Sequence, residues 1–200
     1  MDRVQSLHRA AASLAETAAR PTFAASFIIT DAARGFDAAS AIAAAPPGAA
    51  LIIRDYERPD REGFASELIN IAREAGLYSL LAGNPVLADG LGADGVHLPE
   101  GLGDHAAHAN RLGLLVTISA HSGPAASRAA RLGADAVLVS PVFETGSHPG
   151  ARSLGPFAAG QIAAMTPAPV IALGGVDAET APRLLGMGFA GIAAISGFHP

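Results

Sequence analysis

Apolar residues fall along this chain in short unbroken runs, and between the runs they recur at helical spacing. A run without polar interruption suits a strand buried on both faces, as in a parallel sheet. Such runs predict eight strands, at 23–30, 49–53, 78–81, 95–98, 114–118, 136–139, 170–173 and 191–195. The intervening stretches predict helices at 2–19, 38–45, 60–75, 85–89, 104–111, 124–131, 156–165 and 178–185. Pro46-Pro47 stops the second of these, Gly76 closes the third, and Asp177 reads as the N-cap of the last. One connection, 140–155, is long and carries no periodicity.

The pattern repeats. Leu91-Gly92-Ala93-Asp94-Gly95-Val96 returns as Leu132-Gly133-Ala134-Asp135-Ala136-Val137, and loosely as Met187-Gly188-Phe189-Ala190-Gly191-Ile192. Each copy closes a helix with Gly and opens a strand. No hairpin signal separates the strands, and strand 1 is not followed by a Gly-x-Gly-x-x-Gly turn, so a closed barrel is favoured over an open dinucleotide-binding sheet. The expected fold is an α/β (β/α)8 TIM barrel in one domain, 1–200, with an extra N-terminal helix and no full helix after strand 8. The gap beside strands 8 and 1 is expected to expose Ile192 and Phe27. The N-terminal helix is expected to share in covering it, with a homodimer burying the remainder.

Composition narrows the function. Half of the 200 residues are hydrophobic, 16% are charged, and the formal net charge is −5 with no basic run, which argues against a nucleic-acid surface. The absence of Cys excludes disulfides, thiolate catalysis and Cys-bound zinc. Arg3, His8, Arg9 and Glu16 interrupt the N-terminal segment, so no signal peptide is expected, and no apolar run is long enough to span a membrane. The expected location is the cytoplasm.

In a β/α barrel the chemistry lies at the C-terminal ends of the strands. Strand 7 ends in Gly174-Gly175 and strand 8 in Ser196-Gly197, and turns of this kind leave backbone N–H groups free to hold an anion. The bland alternative is a tight turn. Arg54 follows strand 2 directly and suits a two-pronged grip on phosphate, or an ion pair with Asp55 or Glu100. His97, inside the end of strand 4, reads first as a hydrogen-bonded core residue. Ser119, His121 and Ser122 close strand 5, with Ser122 a possible helix cap, and Asp31 closes strand 1. The long loop supplies Thr145, Ser147, His148 and Arg152. A serine hydrolase is not supported, because Gly-x-Ser-x-Gly is missing.

Five motifs in order carry a resemblance: Gly92-Ala93-Asp94-Gly95-Val96-His97-Leu98, Ile118-Ser119-Ala120-His121-Ser122, Pro141-Val142-Phe143-Glu144-Thr145, Ile171-Ala172-Leu173-Gly174-Gly175-Val176 and Ile195-Ser196-Gly197. Together they resemble the thiamine phosphate synthase family, which also contains the thiazole tautomerases. The resemblance implies a barrel enzyme of thiamine biosynthesis. Such an enzyme joins a hydroxymethylpyrimidine diphosphate to a thiazole phosphate and releases diphosphate. It implies that Gly174, Gly175, Ser196, Gly197, Thr145 and Ser147 bind the thiazole phosphate. Arg54, Ser119 and His148 would then act at the diphosphate.

The departures from the family pattern are as informative. The Gln-x-Arg-x-Lys after strand 2 is Ile52, Arg54 and Tyr56 here. Where the family carries Asn-Asp after strand 3, with the Asp on magnesium, this chain has Ala82 and Gly83. The second acidic ligand gives way to Pro99-Glu100-Gly101, the loop lysine to His148, and the tautomerase histidine to Pro141. Mg²⁺ is therefore implied only if the synthase activity survives. A relative that binds a thiazole or thiamine phosphate without synthase activity is the alternative.

Overall fold

The computed structural model describes residues 2–31, 35–145 and 152–198. In chain order the elements are α1 (Arg3–Thr17), β1 (Ser26–Ile29), α2 (Ala38–Ala44), β2 (Ala50–Ile53), α3 (Arg61–Glu74), β3 (Tyr78–Ala82), α4 (Pro85–Gly90), β4 (Gly95–Leu98), α5 (Ala106–Arg111), β5 (Leu115–Ala120), α6 (Gly123–Arg131), β6 (Ala136–Val139), α7 (Pro156–Met165), β7 (Val170–Leu173) and β8 (Gly191–Ala194). The eight strands are parallel, pair in sequence order and close β8 onto β1. This is the (β/α)8 barrel expected from the pattern of apolar runs.

Alternation along each strand sorts residues into two layers. Phe27, Ile29, Ala50, Ile52, Leu80, Ala82, Ala136, Leu138, Ile171 and Ala193 fill the barrel interior. Ile28, Leu51, Val96, Val116, Val137 and Ile192 face outward onto the helices. The repeated Gly-Ala-Asp has a physical reason. The Asp94 carboxylate accepts the Ser79 N–H at 2.8 Å, and the Asp135 carboxylate accepts the Val116 N–H at 2.7 Å. Each Asp thus stitches the start of its strand to the strand before; the loose third copy has Ala190 and lacks the carboxylate.

Three elements differ from expectation. The region 178–185 is not an α-helix; a 3₁₀ turn, Ala181–Leu184, stands there. Pro182 withdraws an N–H, and Gly186 and Gly188 turn the chain at positive φ, so no further helical turn can build. Asp177 therefore caps a turn, accepting the N–H groups of Glu179 and Thr180. A 3₁₀ segment, Glu100–His105, precedes α5, and β1 starts at Ser26 rather than at 23.

The cover of the barrel's open side also resolves. Phe27 points into the barrel, paired in register with Ala193, so it is not part of the exposed strip. Ile192 does face outward, and α1 lies over it, against β8, β1 and the turns Ala181–Leu184 and Ser196–Phe198. Val4, Leu7, His8, Ala11 and Leu14 form its buried stripe, and Asp2 caps it through the Val4 N–H. Helix α1 occupies the place of the eighth outer helix. Truncating Leu7, which is fully buried, to Ala is expected to lower unfolding free energy by about 2–5 kcal/mol. Chemical denaturation measures this, and an unchanged midpoint would show that α1 is not part of the core. Among the described residues no helix is long and apolar enough to cross a membrane.

Candidate active site

The loop 140–155 shapes the glycine turn after β7. Val142 and Phe143 donate their N–H groups to the carbonyls of Leu173 and Gly174, both at 2.9 Å. Leu154 and Gly155 return to the carbonyls of Pro141 and Val142, at 2.9 and 3.0 Å, so the two stems zip together. The turn sits in this groove without room for side chains. A Cβ on Gly174 would stand 2.8 Å from Pro141 Cα, and one on Gly175 would stand 2.4 Å from the Glu144 carbonyl oxygen. Both glycines hold positive φ, +91° and +63°. Among the described residues no backbone carbonyl accepts the N–H of Gly174 or Gly175. Thr180 Oγ1 donates to the Gly175 carbonyl at 3.0 Å and holds the far side of the turn.

These glycines line a cleft of about 460 Å³ that also takes in Thr145, Ser196, Gly197 and Arg3. The structure thus brings together Thr145, Gly174, Gly175, Ser196 and Gly197, the described members of the expected phosphate group. Ser147 and His148 lie outside the described residues. Arg3 was not anticipated, since nothing near it in sequence marks it. It reaches the cleft because α1 packs beside the Ser196–Phe198 turn, and it pairs with Glu179 at 3.1 Å, both side chains exposed. Asp177 also lines the cleft. Partial burial opposes its ionisation, but hydrogen bonds from Thr180 and from the Glu179 N–H outweigh this and hold its carboxyl below the ordinary value.

A second cavity, about 390 Å³, opens at the barrel mouth against the first. The two share Thr145, Leu173, Gly174 and Ile195, and the mouth adds Arg54, His121, Ser140, Pro141 and Arg152. Arg54 projects inward from the end of β2. Its partner is Asp31, at 2.7 Å, rather than Asp55 or Glu100. The reason is local: Thr30 Oγ1 donates a short hydrogen bond to Asp55, and the Glu100 carboxylate accepts the His121 N–H at 2.8 Å, so both carboxylates are engaged. Thr30 also accepts the Arg54 N–H, fixing the start of that side chain. His121 Nδ1 meets the Ser140 carbonyl at 2.8 Å, and Ser122 caps α6 through the Ala125 N–H.

His97 is the hydrogen-bonded core residue its position suggested. It lies inside the barrel, with Nδ1 at 2.9 Å from Thr117 Oγ1 and Nε2 at 3.0 Å from Ser119 Oγ. Burial, with a smaller effect of Arg54, lowers its pKa to about 4. Ser119 is partly exposed above it and lines neither the glycine cleft nor the mouth cavity. Thr117 escaped the sequence reading; its signal is a hydroxyl two positions before Ser119, on the same face of a strand whose other face is aliphatic.

The fit to magnesium fails on this geometry. Ala82 is a buried interior residue, Gly83 and Pro99 bring no carboxylate, and Glu100 is taken up by the His121 N–H. Among the described residues no group of three His, Asp or Glu side chains converges as a metal ion requires.

A glycine-lined cleft at the ends of β7 and β8, joined to an arginine-bearing mouth, defines the class: a β/α barrel built to receive ligands at its C-terminal face. More particularly, this chain belongs to the thiamine monophosphate synthase family, whose model matches residues 10–198. It is 37% identical over 161 residues to a thiamine-phosphate synthase of Methanoculleus marisnigri, covering 76% of this chain and 75% of that one. A thiamine-phosphate synthase of Chlorobium luteolum is 38% identical over 137 residues, 66% of this chain and 64% of that one. Among solved structures it resembles the thiamine phosphate pyrophosphorylase of Pyrococcus furiosus, with TM-score 0.73 and 26% identity, covering 86% of this chain and 85% of that one.

Proposed function

We propose that this protein joins a hydroxymethylpyrimidine diphosphate to a thiazole phosphate, releasing diphosphate, as a synthase of thiamine phosphate. The observation that carries this reading is the shared wall of the two cavities. A thiazole phosphate anchored in the glycine cleft would present its ring to a second substrate held at the arginine mouth. The N–H groups of Gly174 and Gly175, the Ser196 hydroxyl, the turn at Gly197 and the Thr145 hydroxyl receive the acceptor phosphate, and Ser147 is assigned to the same group on the resemblance alone. Arg54 and Ser119 receive the diphosphate, and His148 stands at the position of the family's loop lysine.

In the reaction the carbon–oxygen bond to the leaving diphosphate breaks and a bond from that carbon to the thiazole forms. Negative charge builds on the diphosphate as it leaves, and fixed donors at that point lower the barrier. Arg54 is suited to this because Asp31 and Thr30 hold it in place before substrate arrives. Arg54→Ala is expected to weaken diphosphate binding by about 1.5–3 kcal/mol, the scale of a charged hydrogen bond. Titration calorimetry with equal affinities for the two proteins would remove Arg54 from the site.

Assay of the purified chain for thiamine phosphate from both substrates, with and without Mg²⁺, tests the proposal directly. A second reading, a thiazole- or thiamine-phosphate-binding relative without synthase activity, draws on the missing carboxylate cluster. Tight binding of thiazole phosphate with no product at any Mg²⁺ concentration would favour it. The same proposal places the protein in the cytoplasm as one barrel unit, acting on small phosphorylated substrates and not on nucleic acid. It also includes a homodimer, whose seam is not the β8–β1 side, because α1 already buries Ile192 there. Light scattering of the full chain tests the dimer, and a monomer at all concentrations would refute it.

A further inference from the structure

The barrel lining is aliphatic around most of its circumference and polar in one sector. Ala82, Leu138 and their neighbours pair in register with His97, Thr117 and Ser119 of β4 and β5, so these three side chains face one another inside. Thr117 is fully buried and His97 nearly so, while Ser119 stands at the upper, partly open end. Among the described residues each hydroxyl has one side-chain partner, the His97 ring.

That isolation decides which ring nitrogen carries the hydrogen. The His97 ring is neutral near pH 7, because burial, and then Arg54, lower its pKa to about 4. One nitrogen therefore donates and the other accepts. If Nδ1 carried the hydrogen, it would donate to Thr117 Oγ1. The Thr117 hydroxyl hydrogen would then be buried with no acceptor, which is unfavourable. With Nδ1 bare, Thr117 donates to it and both atoms are satisfied. The ring hydrogen then resides on Nε2, 3.0 Å from Ser119 Oγ.

We propose that His97 is a positioning residue: held by Thr117, it gives its Nε2–H to Ser119 Oγ and so turns the Ser119 hydroxyl hydrogen away from the ring, toward an anionic oxygen at the C-terminal end of β5. A serine whose oxygen is occupied by a donor can only donate onward through its own hydrogen. The opposite tautomer would draw that hydrogen down to the ring and present a lone pair to the ligand, repelling an anion. The ligand half of this inference rests on the reading of Ser119 as a diphosphate-binding group; the hydroxyl orientation does not.

Nitrogen-15 NMR of histidine-labelled full-length protein tests the orientation without any ligand. The expected spectrum shows His97 protonated at Nε2 and bare at Nδ1, unchanged between pH 8 and about 5. A His97 ring protonated at Nδ1 would overturn the proposal. Inorganic diphosphate is the probe for the second half, by calorimetry on Ser119→Ala, His97→Phe and the double variant. Each single change is expected to weaken binding about tenfold, and the double variant no further, because both remove the same donated hydrogen. His97→Gln, which keeps an N–H donor, is expected to recover part of the affinity. Independent, multiplying losses would make His97 merely structural and refute the positioning role. If His97→Phe does not fold, the wild-type tautomer still decides the matter. A wild-type chain that carries the Nε2–H tautomer but binds no diphosphate would sink the proposed function instead.

Discussion

Gly175→Ala is expected to lower the melting temperature by about 4–20 °C and to abolish anion binding in the β7–β8 cleft. Two effects add. An alanine at φ +63° pays about 1–2 kcal/mol for the left-handed backbone. Its Cβ would also stand 2.4 Å from the Glu144 carbonyl oxygen and 2.7 Å from Phe143 Cβ, so backbone must move, at about 1–3 kcal/mol. At 2–4 °C per kcal/mol for a chain near this size, the sum gives about the range stated. Any shift that relieves the contact pushes the loop stem off the turn and reshapes the cleft that Gly174 and Gly175 line. Gly186→Ala is the matched control. Gly186 has φ +74° but nothing within 4 Å of its Cβ, so only the backbone cost applies and anion affinity should be unchanged. Equal melting shifts in the two variants, with phosphate affinity intact in both, would show that the groove does not confine the turn.

The same turn shows what the sequence could reveal and what it could not. Gly174-Gly175 after an apolar run was legible as a glycine turn closing β7, because strand, turn and glycine are all local signals. The barrel was legible for a related reason: each βα unit repeats its own local pattern, and the Gly-Ala-Asp echo marks where one strand is stitched to the last. Partner choice across the barrel was not legible. The sequence offers Arg54 a phosphate or an ion pair with Asp55 or Glu100. Parallel pairing of the neighbouring strands β1 and β2 instead places Asp31 within 2.7 Å. Phe27 reads as an outward residue in the sequence because alternation alone does not say which face of strand 1 is inside. The 178–185 helix was an error of propensity: the alanines and leucines suit a helix, but Pro182 and the glycines after Leu185 leave too few N–H donors and too little chain. Arg3 enters the cleft only because α1 takes the outer place beside β8, a tertiary arrangement with no local signature.

Acid is expected to remove a large share of the stability between about pH 6.5 and pH 4, and two buried histidines account for it. His97 is enclosed in the barrel, and burial with a lesser effect of Arg54 sets its pKa at about 4. His8 lies on the inner face of α1, stacked on Phe198 with ring centroids 4.4 Å apart and Nδ1 2.9 Å from Ser26 Oγ, and burial lowers it too to about 4. Its Nε2 is buried without a partner, so a second proton there would find no acceptor. In the unfolded chain both rings return to about 6.5. Between these values the unfolded state binds more protons than the folded one, so stability is complete above about pH 6.5 and falls as pH drops toward 4. For His97 the loss at pH 4 is about 3 kcal/mol, against a total of about 5–15 kcal/mol for a typical domain. His8 contributes less, since water at the edge of the α1 seam screens its charge. Asp177 does not share this window: its lowered carboxyl adds stability above the ordinary carboxylate value and loses it only at lower pH. Denaturant midpoints at steps from pH 7 to pH 4 measure the slope. His8→Gln, which keeps a polar partner for Ser26 but cannot titrate, is expected to flatten the slope while leaving the His97 share in place. A wild-type midpoint that stays constant from pH 6.5 to pH 4 would mean that neither ring is held neutral by the fold.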